Sequence, residues 1–214
     1  TYYEKLGPSH AKPPVFRASL PTGIGRSACG VSHRFLRFHM NEQIRDQLKL
    51  AKNHFNGGRL DQALILFKDI VTRDARIMQA HAGLAATYEN MNQLDLAIQH
   101  WKKAVELAPR DAIVLYSLGL AYYRAGRYRE AATYYETSLE INPKSANVCY
   151  NLGHAYHELA FFTPAAEAYE MAIKLNPEDS EAYQSLGIVY QRLGKNDEAV
   201  ACYQKALQIK KRSQ

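Results

Sequence analysis

A strict period of 34 residues governs this chain. Leu50, Leu84, Leu118, Leu152 and Leu186 recur at that interval, each followed by a small residue: Ala51, Ala85, Gly119, Gly153 and Gly187. The same interval links His54, Tyr88, Tyr122, Tyr156 and Tyr190. It also links Ala63, Ala97, Ala131, Ala165 and Ala199, and Phe67, Trp101, Tyr135, Tyr169 and Tyr203. Pro109, Pro143 and Pro177 close three of the units. Self-similarity at such a period means a linear stack of supersecondary units, each contacting only its neighbours, rather than one globular core.

Within each unit the apolar residues recur at three and four, the helix spacing. "LYSLGLAYY" predicts one helix, Gly126 can take a positive φ and end it, and "YREAATYYETSLEI" predicts a second, closed by Asn142-Pro143. Small residues permit close approach of the paired helices, so Gly119 and Ala131 are expected at the crossing, with Tyr122 and Tyr135 filling the wider spaces beside it. Ten helices are expected, over 42–56 and 60–73, 78–91 and 94–107, 112–125 and 128–141, 146–159 and 163–175, and 180–193 and 196–209.

The Leu-small-x-x-Tyr, Ala, aromatic, Pro pattern on this period resembles the tetratricopeptide repeat (TPR) family. The resemblance implies an all-α fold, a right-handed α-solenoid of five helix-turn-helix repeats at about 44–77, 78–111, 112–145, 146–179 and 180–210. The repeats occupy residues 41–210. Residues 1–40 form an atypical basic N-terminal extension, mostly irregular through "AKPPVF" and "LPTGIG" but with a short basic helix near 31–40, and residues 211–214 form a basic tail.

Apolar residues make up 47% of the 214, and charged residues 22%, which places the chain among folded, soluble proteins. No apolar run reaches the roughly 18 residues that span a bilayer, and no basic start with an apolar stretch marks a secretory leader. The three cysteines, Cys29, Cys149 and Cys202, form neither a CxxC nor a disulfide framework, so a reducing, cytoplasmic setting is expected. The net charge of +6 sits at the ends: six Lys and Arg against Glu4 alone in residues 1–40, and Lys210, Lys211 and Arg212 in the tail. A nucleic-acid-binding protein would carry its basic stripe on the folded body, so no nucleic acid is expected as partner.

No catalytic constellation emerges, and an enzyme is not expected. His154 and His157 share a helix face but have no third ligand, so no metal is assigned. Glu136, Glu140, Glu167 and Glu170 read as a solvated outer face. Cys149 and Cys202 stand at packing positions without an activating neighbour. No cofactor motif is present: "GIGRSACG" lacks the Lys-Ser/Thr of a phosphate loop.

The informative positions are those of the first helices facing the concave groove. These are Arg45, Lys49, Lys52 and Asn56 in repeat one; Glu89 in repeat two; Tyr116, Tyr123 and Arg124 in repeat three; Tyr150, Asn151, His154 and His157 in repeat four; and Gln184 and Arg192 in repeat five. Rigid tyrosines of this kind dominate protein-binding hot spots. A clamp for chaperone C-terminal carboxylates is not expected, because Leu48, Gly83, Ile113, Ser117 and Glu181 stand where that clamp needs Asn, Lys or Arg. An asparagine ladder is also missing, since Lys49, Gly83, Ser117 and Ser185 fill its places. Phe161, where the other units carry Arg or Lys or Gln, and Val200, Tyr203 and Leu207 on the last helix mark a candidate association surface.

The expected function is a non-enzymatic adaptor or scaffold that binds other proteins or peptides, without cofactors, and associates with itself. The atypical N-terminal segment followed by "NEQIRDQ" and five repeats is similar to the MamA-type magnetosome-associated proteins. That resemblance implies a cytoplasmic homo-oligomeric coat, peripheral on an intracellular magnetosome membrane through a protein partner. Two alternatives stand beside it: an assembly factor for a membrane complex in bacteria or organelles, and a regulatory domain of a larger enzyme.

Overall fold

The computed structural model describes residues 32–212, and the chain divides into two units, Thr1–Phe38 and His39–Gln214. The expectations for residues 1–31, Cys29 among them, lie outside the described residues. Ten helices and no strand occur among the described residues: α1 (Ser32–Asn56), α2 (Leu60–Arg73), α3 (Met78–Asn90), α4 (Leu94–Leu107), α5 (Ala112–Arg124), α6 (Tyr128–Ile141), α7 (Ala146–Glu158), α8 (Phe162–Leu175), α9 (Ser180–Arg192) and α10 (Asn196–Arg212). The second unit is an all-α solenoid in which each helix packs on the next in sequence, within repeats and between them.

Two helices depart from the expected bounds by more than one residue. α1 begins ten residues early and absorbs the separate short helix expected near 31–40. No Gly or Pro lies between Ser32 and Gly57, so nothing in the sequence stops the helix there. α10 runs on to Arg212 rather than ending at 209. Lys210, Lys211 and Arg212 thus form its last turn, where cations meet the negative end of the helix dipole.

The turns follow from local chemistry. Gly58, Gly126 and Gly194 leave their helices with φ of 71°, 73° and 75°. Repeats two and four make the same turn with Asn92 and Ala160, both at φ 58°. For Ala160 this conformation costs roughly 1–2 kcal/mol. Asp111 and Asp179 cap α5 and α9, each carboxylate accepting from two backbone N–H groups of the first turn.

Helix spacing is set by a ring lying against a glycine. A Cβ built on Gly119 would stand 2.6 Å from the ring of Tyr135, and one on Gly153 would stand 2.7 Å from the ring of Tyr169. The nearest obstacle to a side chain at this position is therefore the aromatic ring of the second helix. Gly187 meets Tyr203 in the same way, at 2.6 Å. Tyr203 is therefore half-buried against Gly187, whereas Val200 and Leu207 are exposed.

A second ladder joins the repeats. The first-helix tyrosine of each unit meets the second helix of the unit before, twenty residues back. In the first half the partner is a lysine: Lys68 Nζ lies 5.7 Å from the Tyr88 ring centre and Lys102 Nζ 5.8 Å from that of Tyr122. In the second half it is a glutamate: the hydroxyl of Tyr156 donates to Glu136, and that of Tyr190 to Glu170 at 2.6 Å. Glu136 and Glu170 are thus not simply solvated, as expected, but bind neighbouring repeats.

Candidate functional site

The residues expected to line a groove between the first helices converge where α5 and α7 adjoin. Tyr116 on α5 leans on Tyr135 with ring centres 5.8 Å apart. One repeat on, Tyr150 presents its edge to His154 at 4.5 Å and packs on Tyr169 at 5.7 Å. His154 lies edge-on to Tyr169 at 5.4 Å and within 6.5 Å of the Tyr123 ring. The residues continue one another because helical positions three and four apart share a face, and stacking sets equivalent faces side by side. The result is a half-buried shelf of Tyr116, Tyr123, Tyr150 and His154. Burial pushes the Tyr116, Tyr123 and Tyr150 phenols above their ordinary value and holds the His154 imidazole below its own. At neutral pH the shelf carries no charge and offers aromatic faces with neutral donors and acceptors.

Asn151 ties two repeats together across the shelf. Its Nδ2 donates to the Tyr116 hydroxyl at 3.0 Å and to the Asn147 carbonyl at 2.8 Å. At the same register position one repeat later stands Ser185, which works against the rise that burial gives the Tyr150 and Tyr169 phenols. Tyr135 is the counterpart of Tyr169, but Asn151 has turned to Tyr116, and the fully buried Tyr135 hydroxyl has no hydrogen-bond partner. A buried unsatisfied hydroxyl costs about 1–3 kcal/mol. Tyr135→Phe should therefore raise stability by about 1–2 kcal/mol in urea melts, whereas Tyr169→Phe should lower it or leave it unchanged. A gain of the same size for both would show that the two hydroxyls are equivalent.

The other predicted groove residues divide by position. Glu89 is engaged rather than free: the Trp101 indole N–H donates to its Oε1 at 2.5 Å, and Arg124 reaches its Oε2 at 2.9 Å from the next repeat. Arg45, Lys49, Lys52 and Asn56 stand exposed on α1, at the far end of the groove from Gln184 and Arg192, which are exposed on α9. Lys210 donates to Gln184 at 3.3 Å. His157 packs its ring on Phe162 at 5.9 Å. Phe161 is 46% exposed on the turn before α8. Cys149 and Cys202 are buried, and burial pushes both thiols up.

Three features escaped the sequence reading. The Trp101–Glu89–Arg124 set and the Asn151–Tyr116 pair join residues in adjacent repeats, visible only once stacking places them. The third is a half-buried histidine pair between α3 and α4, His81 Nδ1 and His100 Nδ1 at 3.1 Å, with His81 Nε2 3.1 Å from the Ala75 carbonyl. That carbonyl can only accept, so His81 Nε2–H donates to it, and the neutral ring leaves Nδ1 to accept from His100 Nδ1–H. Among the described residues no group of three His, Cys, Asp or Glu side chains could hold a metal ion.

Comparison with known proteins gives the same architecture. Tetratricopeptide repeat models match residues 76–144, 146–179 and 180–213. A crystal structure of MamA superposes with a TM-score of 0.74 at 29% identity, covering 76% of this chain and 95% of that one. A second crystal structure of MamA gives 0.75 at 28% identity over 80% and 93%. A double mutant of MamA RS-1 gives 0.76 at 19% identity over 79% and 96%, a likeness of fold alone. No curated protein sequence matches the chain.

Proposed function

Because this chain belongs to the tetratricopeptide repeat family, whose repeats build protein-interaction scaffolds, we propose that it is a non-enzymatic adaptor gripping an extended segment of another protein along its groove. The observation that carries this reading is the uncharged shelf of Tyr116, Tyr123, Tyr150 and His154. Half-buried aromatic side chains with few rotatable bonds lose little entropy when a partner covers them. Hydrogen-bonding groups between them, Asn151 above all, suit the backbone of an extended peptide.

The likeness to MamA supports a narrower form of the same reading. In that form the chain is a self-associating, magnetosome-associated coat or assembly protein, peripheral on the cytoplasmic side of the membrane through a protein partner. Exposed Phe161, Val200 and Leu207 are the candidate contacts between copies. No helix among the described residues is long and apolar enough to cross a membrane.

Photo-crosslinking in native cells tests both forms. Benzoylphenylalanine in place of Leu120 or Ile188, on the groove, should capture another polypeptide; the same probe at Glu140 on the outer face should not. Capture of a second copy favours the coat, and capture of a different protein favours the adaptor. Equal yields from both faces, or none from the groove, would refute groove binding.

A further inference from the structure

Repeat two interrupts the groove. Repeat three carries Tyr116, Ser117 and Leu120 at three groove positions, and repeat four carries Tyr150, Asn151 and His154. Repeat two has Ala82, Gly83 and Ala86 at the same places. The missing side chains leave a cavity of about 530 Å³ between repeats one and three. Its smallness is built in, because a Cβ on Gly83 would stand 2.4 Å from the ring of Phe67 below it.

The lining is apolar. Phe55 and Trp101 flank the floor, and Ile113, 75% exposed, forms the lip on the side of repeat three. The Trp101 N–H is already spent on Glu89, so that wall offers no donor. Asp111 also lines the cavity, but its Oδ1 accepts from the N–H groups of Ile113 and Val114. On the opposite rim stands Lys52, and one turn or two earlier on α1 lie Lys49 and Arg45. All three cations are exposed, and none is in an ion pair among the described residues. The cavity is thus a greasy socket with a basic rim on its α1 side and the capping Asp111 on its α5 side, whereas the shelf next to it is neutral.

We infer that this socket takes the bulky apolar side chain of a partner segment whose flanking residues are acidic. The anchor presupposes the peptide-binding groove proposed above and specifies its ligand. Removing a large apolar side chain from water favours binding by roughly 10- to 100-fold over alanine. Carboxylates beside it meet Lys52 and Lys49 at a surface where the attraction is real but screened by salt. Shape therefore selects the anchor, and charge selects what surrounds it.

The test is a positional-scanning library of twelve-residue peptides in extended, soluble format, probed with the full chain. The central residue is varied, and the flanks are either Glu/Asp-rich or Lys/Arg-rich. The expected result is selection of branched or aromatic central residues at least about 10-fold over alanine, with acidic flanks, weakening as salt rises. Ala82→Trp, which fills the socket, should abolish the central selection while retaining the flank preference. Lys49→Glu with Lys52→Glu should invert the flank preference and retain the central one. Circular dichroism melts verify that each variant folds, and Ala86→Leu fills the socket from its other wall if Ala82→Trp does not. Peptides whose binding responds to neither pair of changes but is lost with Tyr116→Ala would overturn the socket while leaving the groove standing. If no peptide in the library binds, both fall.

Discussion

Gly119→Val should destabilise the protein by about 3 kcal/mol, at the upper end of overpacking costs. The first added carbon would sit 2.6 Å from Cε1 of Tyr135, inside van der Waals contact, and valine adds two methyl groups beyond it. The ring cannot step aside, because Tyr135 is fully buried between α5 and its neighbours and is held by Tyr116. Valine gains a few tenths of a kcal/mol over glycine in helix propensity, too little to offset the clash. A loss of that size lowers the melting temperature by about 6–12 °C for a domain of this length. Circular dichroism and calorimetry measure it, and the transition should also broaden as repeats one and two uncouple from four and five. Removing the ring should relieve the clash: Tyr135→Ala in the Gly119→Val background should cost much less than Tyr135→Ala alone. Simple additivity of the two changes would mean that the helix spacing is not set by ring against glycine.

That contact shows where the sequence was legible and where it was not. The period, the ten helices and the turn at Gly126 could be read because each rests on residues close in sequence, in a pattern repeated five times. The glycine column was legible too, but not the side chain it makes room for. Two helices facing each other leave several pairings open, and only their packing brings the Tyr135 ring against Gly119. The early start of α1 was hidden for another reason: residues 32–40 belong to no repeat, so periodicity gives no guidance there. The Lys68–Tyr88 and Glu136–Tyr156 contacts share one spacing and were present in the sequence as a regular offset. They went unread because outward-facing charges on a helix are ordinarily solvated. The groove's tyrosines were found by register alone, whereas its dent at Ala82, Gly83 and Ala86 is a pattern of absent atoms, and absence has no periodic signature.

Replacing Tyr116 and Tyr150 together by alanine should weaken partner binding by 30-fold or more, about 2 kcal/mol, the threshold of a hot spot. The two rings act as a pair across adjacent repeats. Tyr116 holds the Asn151 amide through its hydroxyl, and Tyr150 meets the His154 ring at a right angle. Truncating both removes two aromatic faces and also frees Asn151 and His154 from their set positions, so the partner loses contacts and must order the groove for itself. Neither tyrosine is fully buried, and each leaves its glycine-packing neighbour, Tyr135 or Tyr169, in place. The fold should survive, with a stability loss smaller than that of Gly119→Val. Truncating Tyr116 exposes the Tyr135 hydroxyl and releases the Asn151 amide toward it, which offsets part of the packing loss by supplying the missing hydrogen bond. Isothermal titration with whatever polypeptide the groove probe captures measures the binding change, and thermal melts measure the stability change. The expected combination is a large drop in affinity with a modest drop in melting temperature. Affinity unchanged in a folded double variant would move the binding surface off the aromatic shelf and onto the outer face, where Phe161 stands exposed.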